Sequence, residues 1–352
     1  MTDNSPRVLL LVDWIPDKGS ILMNSLRDAG LDCDIMGTNF HLSRWTPINK
    51  ILSHWPKCLL VSIRAFHKRR DYDCILAWQQ IMGMFLGSIK WVTGASVPDI
   101  FILTAIIVER HNPVQEWIRR KFISMACKKV NHIGFLSNAY QKIIQSRFNW
   151  PDSRTVLLKS PIILPQIPEF SGYRPDGYVY SVGRSCRDYH TLFAAARQCR
   201  QQFAVVTSRE AVSGLSIPDN VTLHFDTFGK DADRLMQNCA AVIIPLNMDD
   251  SPAGELTLLE AMCYGKPVII TRTVITQEYV RHGENGYLVP LNDIHAMRQA
   301  VETIFSDDEK SLQMGKKARE MAMKNHSIDA FAKTIADTIL GGRRSEVSDQ
   351  RS

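Results

Sequence analysis

The sequence predicts an α/β protein of two doubly wound, Rossmann-like domains facing a central cleft. Three observations carry that prediction. At 352 residues the chain is too long for one ordinary core and suits two domains of common size. Short apolar runs, each followed by a polar loop and a helix-like stretch, recur through both halves. Between the halves, prolines 161, 165, 168 and 175 crowd a segment with no sustained period, the composition of an interdomain linker.

The first run, Arg7 to Asp13, is apolar until it ends in an acid, as a buried parallel strand would be. Pro16 to Ser20 then leads into a helix-like stretch, Ile21 to Ala29. Further strands are expected at Leu31–Ile35, Cys74–Trp78, Ile100–Thr104 and His132–Leu136, spaced widely enough for crossover helices. These make a first domain over residues 1–160, and 161–176 is the linker. A second domain, 177–326, takes strands at Tyr178–Val182, Phe203–Thr207, Val221–Phe225, Ala241–Pro245, Pro267–Thr271 and Gly286–Pro290. Helices at Asp293–Phe305 and Asp308–Lys324 close it, a last helix fills 327–341, and 342–352 is too polar to pack and is expected to be disordered.

Composition excludes several classes. Hydrophobic residues are 45% and charged residues 22%, which is ordinary globular usage. The eight cysteines show neither a C-x-x-C pair nor metal-ligand spacing, so no metal site or disulfide framework is expected and the compartment is expected to be reducing. Residues 1–7 lack the regions of a signal peptide, and the apolar stretch Cys74 to Val92 is broken by Gln79, Gln80, Ser88 and Lys90. A cytoplasmic protein without a transmembrane helix is expected. The net charge of +6 is uneven, because residues 40–147 hold 16 Lys or Arg against 5 Asp or Glu.

The segment that promises chemistry is Ser251-Pro-Ala-Gly-Glu-Leu-Thr-Leu-Leu-Glu-Ala-Met-Cys-Tyr-Gly-Lys-Pro-Val268, a polar loop, a helix and a strand. Small residues before a helix let backbone N–H groups approach an anion, and the helix N-terminus adds roughly half a positive charge. Gly254, Glu255, Leu256 and Thr257 would form such a diphosphate cradle. Glu260, one to two turns inside, could accept hydrogen bonds from vicinal hydroxyls, or simply lie on an exposed helix face.

Three motifs in order resemble the retaining glycosyltransferases of family 4, the group 1 family, whose two-Rossmann fold is termed GT-B. They are Ser-Val-Gly183-Arg184, Leu-Leu-Glu260-Ala-Met-x-x-Gly265-Lys-Pro-Val268, and Glu278-Tyr-Val-x-x-Gly283-x-Asn-Gly286-Tyr-Leu-Val-Pro290. The resemblance is strongest over Tyr178 to Pro290. It implies that Glu260 is the second Glu of the family's E-x7-E motif and binds the donor ribose. Pro252 occupies the first Glu position, so Asp249, Asp250 or Glu255 would have to stand in. Arg184 resembles the phosphate-binding Arg, and Arg187 is the nearest second cation; both would neutralise charge on a departing diphosphate.

In the first half, Pro16-x-x-Gly19 resembles the glycine loop that closes over the donor, with Gly19-Ser20 where the family often has two glycines. Relatives often carry a His soon after the strand that ends here near Thr104, but Thr104-Ala105-Ile106 has none and His111 reads as a surface residue. Asp13 is a candidate for the acceptor cleft. The helix at 327–341 would cross back to the first domain, as in relatives. The loop Asp226–Phe228 would meet the nucleobase through its backbone.

Trp45 to Arg70 interleaves tryptophans and aliphatics with Lys50, Lys57, Arg64, Lys68, Arg69 and Arg70, either a core helix with a basic face or a surface for an anionic membrane. No nucleic-acid motif accompanies the charge. The whole implies an enzyme that moves a sugar from a nucleoside diphosphate to a glycan or lipid-linked acceptor in polysaccharide or lipopolysaccharide assembly. Retention of configuration and no bound cofactor are implied, with peripheral contact at the inner face of the cell membrane. A nucleotide-sugar-binding protein without turnover, or another GT-B enzyme such as an epimerase or phosphorylase, is the alternative.

Overall fold

The computed structural model describes residues 5–14, 20–38, 54–96, 98–107, 112–162, 164, 167–249 and 252–349, with backbone alone for 342–349. The chain forms two compact units, Met1–Ile163 with Ile328–Ser352, and Leu164–Ser327.

The first unit is a six-stranded sheet of β1 (Arg7–Val12), β2 (Asp32–Gly37), β3 (Cys74–Gln79), β4 (Asp99–Thr104), β5 (His132–Phe135) and β6 (Thr155–Leu157). All pairings are parallel, in the order β2-β1-β3-β4-β5-β6. A parallel sheet is covered on both faces, which is why every side chain from Val8 to Val12 is at most 1% exposed. The three residues of β6 were not foreseen, because so short an edge strand carries no pattern.

The helices of this unit are α1 (Ile21–Asp28), α2 (Trp55–His67), α3 (Gln80–Thr93), α4 (Pro113–Ala126) and α5 (Asn138–Phe148). Side-chain acceptors start three of them: Ser20 Oγ receives Met23 N at 3.4 Å, Ser137 Oγ receives Tyr140 N at 3.2 Å, and Asn112 Oδ1 receives Val114 N and Gln115 N. The apolar stretch Cys74 to Val92 resolves into β3 and α3, and among the described residues no helix is long and apolar enough to cross a membrane. The chain steps one way from β1 to β2 and the other way from β2 onward, so right-handed crossovers put α1 on one face and α2 to α5 on the other.

The second unit is also a parallel six-stranded sheet: β7 (Val179–Val182), β8 (Phe203–Thr207), β9 (Val221–Phe225), β10 (Ala241–Ile244), β11 (Val268–Thr271) and β12 (Tyr287–Val289), in the order β12-β11-β10-β7-β8-β9. Its helices are α6 (Tyr189–Ala196), α7 (Lys230–Asn238), α8 (Glu255–Cys263), α9 (Ile294–Ser306) and α10 (Asp308–Asn325). The β8–β9 crossover holds a 3-10 turn, Glu210–Val212. The strand order reverses between β7 and β10, and ligands of open α/β sheets bind outside the carboxyl ends at such a reversal.

The last helix, α11 (Ile328–Asp349), belongs to the first unit. Phe331, Ala332, Ile335, Ala336 and Ile339 form its buried stripe in the core that also holds Leu22 and Leu26 of α1. Ser25 Oγ donates to Asp329 Oδ1 at 2.6 Å to fix the register. The backbone stays helical to Asp349, well into the segment read as a disordered tail.

Within the expected linker, Ser171 N and Gly172 N both donate to Tyr264 O at 3.1 Å, and Tyr173 is buried in the second core. Lys266 secures this packing. Its Nζ, wholly buried, donates to the carbonyls of Gly172, Gln237 and Cys239 at 2.7, 2.8 and 2.9 Å. An ammonium has three donors, so Lys266 is saturated, and burial lowers its pKa to about 8. We expect Lys266→Met to lower unfolding free energy by about 2–4 kcal/mol, since three buried acceptors lose their donor at once. Urea denaturation checks this, and a change under ~0.5 kcal/mol would show the clamp to be incidental.

Candidate functional site

Outside the carboxyl ends of β7 and β10, the loop 183–188 is laced to the loop after β10. Asp188 N donates to Pro245 O at 3.0 Å, Asn247 N donates to Cys186 O at 3.3 Å, and Arg187 forms an isolated bridge with Leu246. Between these loops lies the guanidinium of Arg187. Its Nε and Nη2 donate to Val182 O at 3.1 and 3.0 Å, Nη1 to Ser185 O at 3.1 Å, and Nη2 to Thr257 Oγ1 at 3.4 Å. These four bonds all end on neutral oxygens, and among the described residues no carboxylate pairs with Arg187. A guanidinium has five N–H donors, so one on Nη1 is left over. Burial lowers the pKa of Arg187, yet the group stays charged.

Two glycines flank this cation, and the first makes room for it. A Cβ on Gly183, whose φ is +139°, would lie 2.5 Å from Arg187 Nη2. Its peptide is held by Tyr189 Oη and Thr207 Oγ1, which donate to Gly183 O at 2.5 and 2.8 Å. Gly254, φ +84°, is the N-cap of α8, and a Cβ there would lie 3.0 Å from Ile244 Cγ2 and 3.8 Å from Arg187 Nη1. The spare donor of Arg187 is therefore beside the start of a helix whose cap residue offers no side-chain acceptor. Positive charge, a helix N-terminus and a strand-order reversal coincide here, an arrangement that favours an anion.

In the cradle, Thr257 touches Arg187 and Glu255 is 5% exposed, whereas Leu256 is 64% exposed and can offer only its backbone. Glu260 follows, half-buried, with its neighbours on α7 and β7: Asp233 acts on its titration, and it acts on that of Tyr180. Burial first, and the charge of Asp233 second, push the Glu260 carboxyl up to about 7.

Arg184 is exposed and stands apart from Arg187, its guanidinium 5.9 Å from the centre of the Phe228 ring. Asp226 and Thr227 line a cleft of about 440 Å³ with His224, Asp231 and Arg234. Asp249 is exposed, and its Oδ1 accepts from Val274 N at 3.2 Å. Gly19, Asp250 and His111 lie outside the described residues, as do 45–53 of the basic stretch. In the first unit, Asp13 accepts from Gln79 Nε2 and its Oδ2 is 4.0 Å from His54 Nε2, while burial raises its pKa.

The third motif serves the backbone. Asn285, fully buried, accepts Arg281 N at 2.7 Å and donates to Tyr279 O at 3.0 Å, and Gly286 leaves space for Val268 O. Sequence reasoning missed Tyr180, Asp233, Tyr189 and Thr207 around the site. Nothing in their local pattern marks them, since each is brought in by the sheet or by a neighbouring helix.

Residues 207–321, which include α7, α8 and the third motif, match the family described as glycosyl transferases group 1. This part of the chain is a group 1 glycosyltransferase domain. An exopolysaccharide phosphotransferase of Streptomyces coelicolor is 32% identical over 113 residues, 32% of this chain and 12% of that protein. The O-antigen chain mannosyltransferase C of Escherichia coli is 27% identical over 172 residues, 44% of this chain and 45% of that one. The aligned regions thus cover less than half of either relative. Among solved structures, Anabaena Alr3699/HepE in complex with UDP and glucose superposes with a TM-score of 0.68 at 16% identity, over 95% of this chain and 99% of that one. The fold is GT-B. In the group 1 domain, the cradle and Glu260 occupy one continuous helix.

The raised pKa of Glu260 has a signed consequence. Unfolded, the carboxyl ionises near 4.5, but in the folded domain it keeps its proton until about pH 7. Its contribution to stability is full below pH 4.5 and is lost as pH rises through 7, by about 3 kcal/mol in all. Glu260→Gln should therefore raise the melting temperature at pH 8 and leave it unchanged near pH 4. A uniform effect across that range would contradict this.

Proposed function

We propose that the chain transfers a sugar from a nucleoside diphosphate donor to a glycan or lipid-linked acceptor in polysaccharide or lipopolysaccharide assembly, with retention of anomeric configuration. The observation that carries this reading is the unsaturated, unpaired guanidinium of Arg187 beside the N-terminus of α8. A departing diphosphate gains charge as the glycosidic bond breaks. A fixed cation and a helix end aimed at that charge stabilise the transition state without reorganising. Arg184 would add a second cation at the solvent side, and the Glu260 carboxyl would accept hydrogen bonds from vicinal ribose hydroxyls.

Asp226 to Phe228 would supply backbone to the base. Retention follows if the acceptor oxygen attacks on the face the phosphate leaves, its proton passing to the departing phosphate oxygen, so no covalent nucleophile and no bound cofactor or metal is required. The UDP and glucose held by the Anabaena protein and the O-antigen role of the Escherichia coli relative support donor and product class. A cytoplasmic enzyme in peripheral contact with an anionic membrane through its basic N-terminal half suits a lipid-linked acceptor.

A second reading, nucleotide-sugar binding without turnover, is favoured by Pro252 at the position of the family's first Glu. The described candidates to replace that acid are Asp249, engaged with Val274 N, and Glu255, inside the first turn of α8.

Calorimetric titration with uridine, guanosine and adenosine diphosphates tests the donor site. One of them should bind, and Glu260→Ala should weaken it on the order of tenfold, the value of one or two hydrogen bonds to a carboxylate. Equal affinity in the mutant would remove Glu260 from the donor site. Binding without any transfer or donor hydrolysis would select the second reading.

A further inference from the structure

In α4 the usual sidedness of a surface helix is inverted. The face turned to the protein carries Glu116, Ile123 and Ala126, and the face turned to water carries Val114, Trp117, Ile118, Phe122 and Met125. Trp117 is 62% exposed and Ile118 56%. These five recur at helical spacing as one stripe, so the exposure follows from the sequence pattern and not from one stray side chain. Glu116, the sole acid of the helix, is turned inward and bound by Arg119 and Arg120 at 3.3 and 3.1 Å.

Helix α2 repeats the arrangement. It buries Cys58, Val61, Ser62 and Ala65, all small, and exposes Trp55, Leu59, Leu60 and Ile63. Helix α3 packs against both, and it too exposes large apolar side chains, Trp91 and Val92, near its C-terminal end. All three lie on the same face of the sheet. Cations attend each part: Lys57, Arg64 and Lys68 on or beside α2, and Lys121, Lys128 and Lys129 on or just after α4.

We propose that the exposed faces of α2 and α4 form one membrane-docking surface for anionic phospholipid, with Trp117 and Ile118 as its principal apolar anchors. Large apolar side chains in water at helical spacing, with aromatic residues and a surplus of lysine and arginine, match the interface of an anionic bilayer. There the rings enter the headgroup region and the cations meet lipid phosphate. A protein partner of ordinary composition would not explain why the surplus charge is of one sign. The inference deepens the membrane part of the proposed function and adds α4, which the charge pattern of residues 45–70 does not include.

Flotation of the full chain with phosphatidylcholine vesicles, with and without phosphatidylglycerol, tests it. The protein should float with the anionic vesicles, and high salt should weaken that binding. Trp117→Glu with Ile118→Glu should reduce partition on the order of tenfold, as expected for removal of two apolar anchors. Binding of whichever of uridine, guanosine or adenosine diphosphate the parent protein takes, measured on the same preparations, should be unchanged and reports separately on the donor site. Failure of the parent protein to float, or equal flotation of the double variant, would overturn the proposal. So would self-association through this face, seen as a dimer that the double variant abolishes, without binding to vesicles.

Discussion

A half-buried guanidinium where the strand order reverses organises the loops around it in the second unit. Arg187 takes carbonyls from Val182 and Ser185 and a hydroxyl from Thr257, so the loop after β7 and the first turn of α8 must both reach it. Position 183 then has no space for a side chain on the Arg187 side, position 254 is crowded by Ile244, and both have backbone angles that glycine adopts without strain. Tyr189 and Thr207 grip the Gly183 carbonyl from two further elements. Conserving the cation's position and conserving these small residues are one requirement, stated twice in the sequence.

The domain contains a second enclosed cation, wholly buried, and the contrast shows why only one of the two is a candidate for chemistry. Lys266 spends all three of its donors on carbonyls and ties residue 172 to the α7–β10 turn. It has nothing left for a ligand. Arg187 has more donors than oxygens around it, and its remaining N–H is beside a helix terminus that is itself electropositive. Both are basic residues in glycine-containing motifs, and the count of donors against acceptors, with the wholly buried state of Lys266 against the half-buried one of Arg187, separates a structural role from a candidate binding one.

Sequence pattern revealed the strands that are buried on both faces, because continuous apolar runs such as Val8–Val12 and Ala241–Ile244 have few alternative homes. It singled out Glu260 through its likeness to a family motif, and the structure places that residue half-buried on α8. It was weaker where structure depends on what lies opposite. The three residues of β6 acquire their identity from β5, and the Glu278-to-Pro290 motif reads like a site although Asn285 only closes a turn. Arg187 looked secondary to Arg184 because a linear motif shows which cation follows the strand, while burial shows which one is held in place.

Helical periodicity has the same blindness in the first unit. It marks an apolar stripe on α4 but is silent on which way the stripe turns, and the default assumption sends it to the core. Here α3 already packs on the sheet and α4 packs on α3, and the inward face of α4 carries Glu116, whose charge is met by Arg119 and Arg120 of its own helix. The stripe is left in water. Exposing five large apolar side chains on one helix incurs a hydration cost that packing does not recover within the unit. The first unit buries one cation, Lys90, whose Nζ donates to Pro98 O and Asn131 Oδ1 at 2.8 and 3.4 Å. The cations of α2 and α4 stay outside, next to apolar surface, where a partner both greasy and negative satisfies the pair.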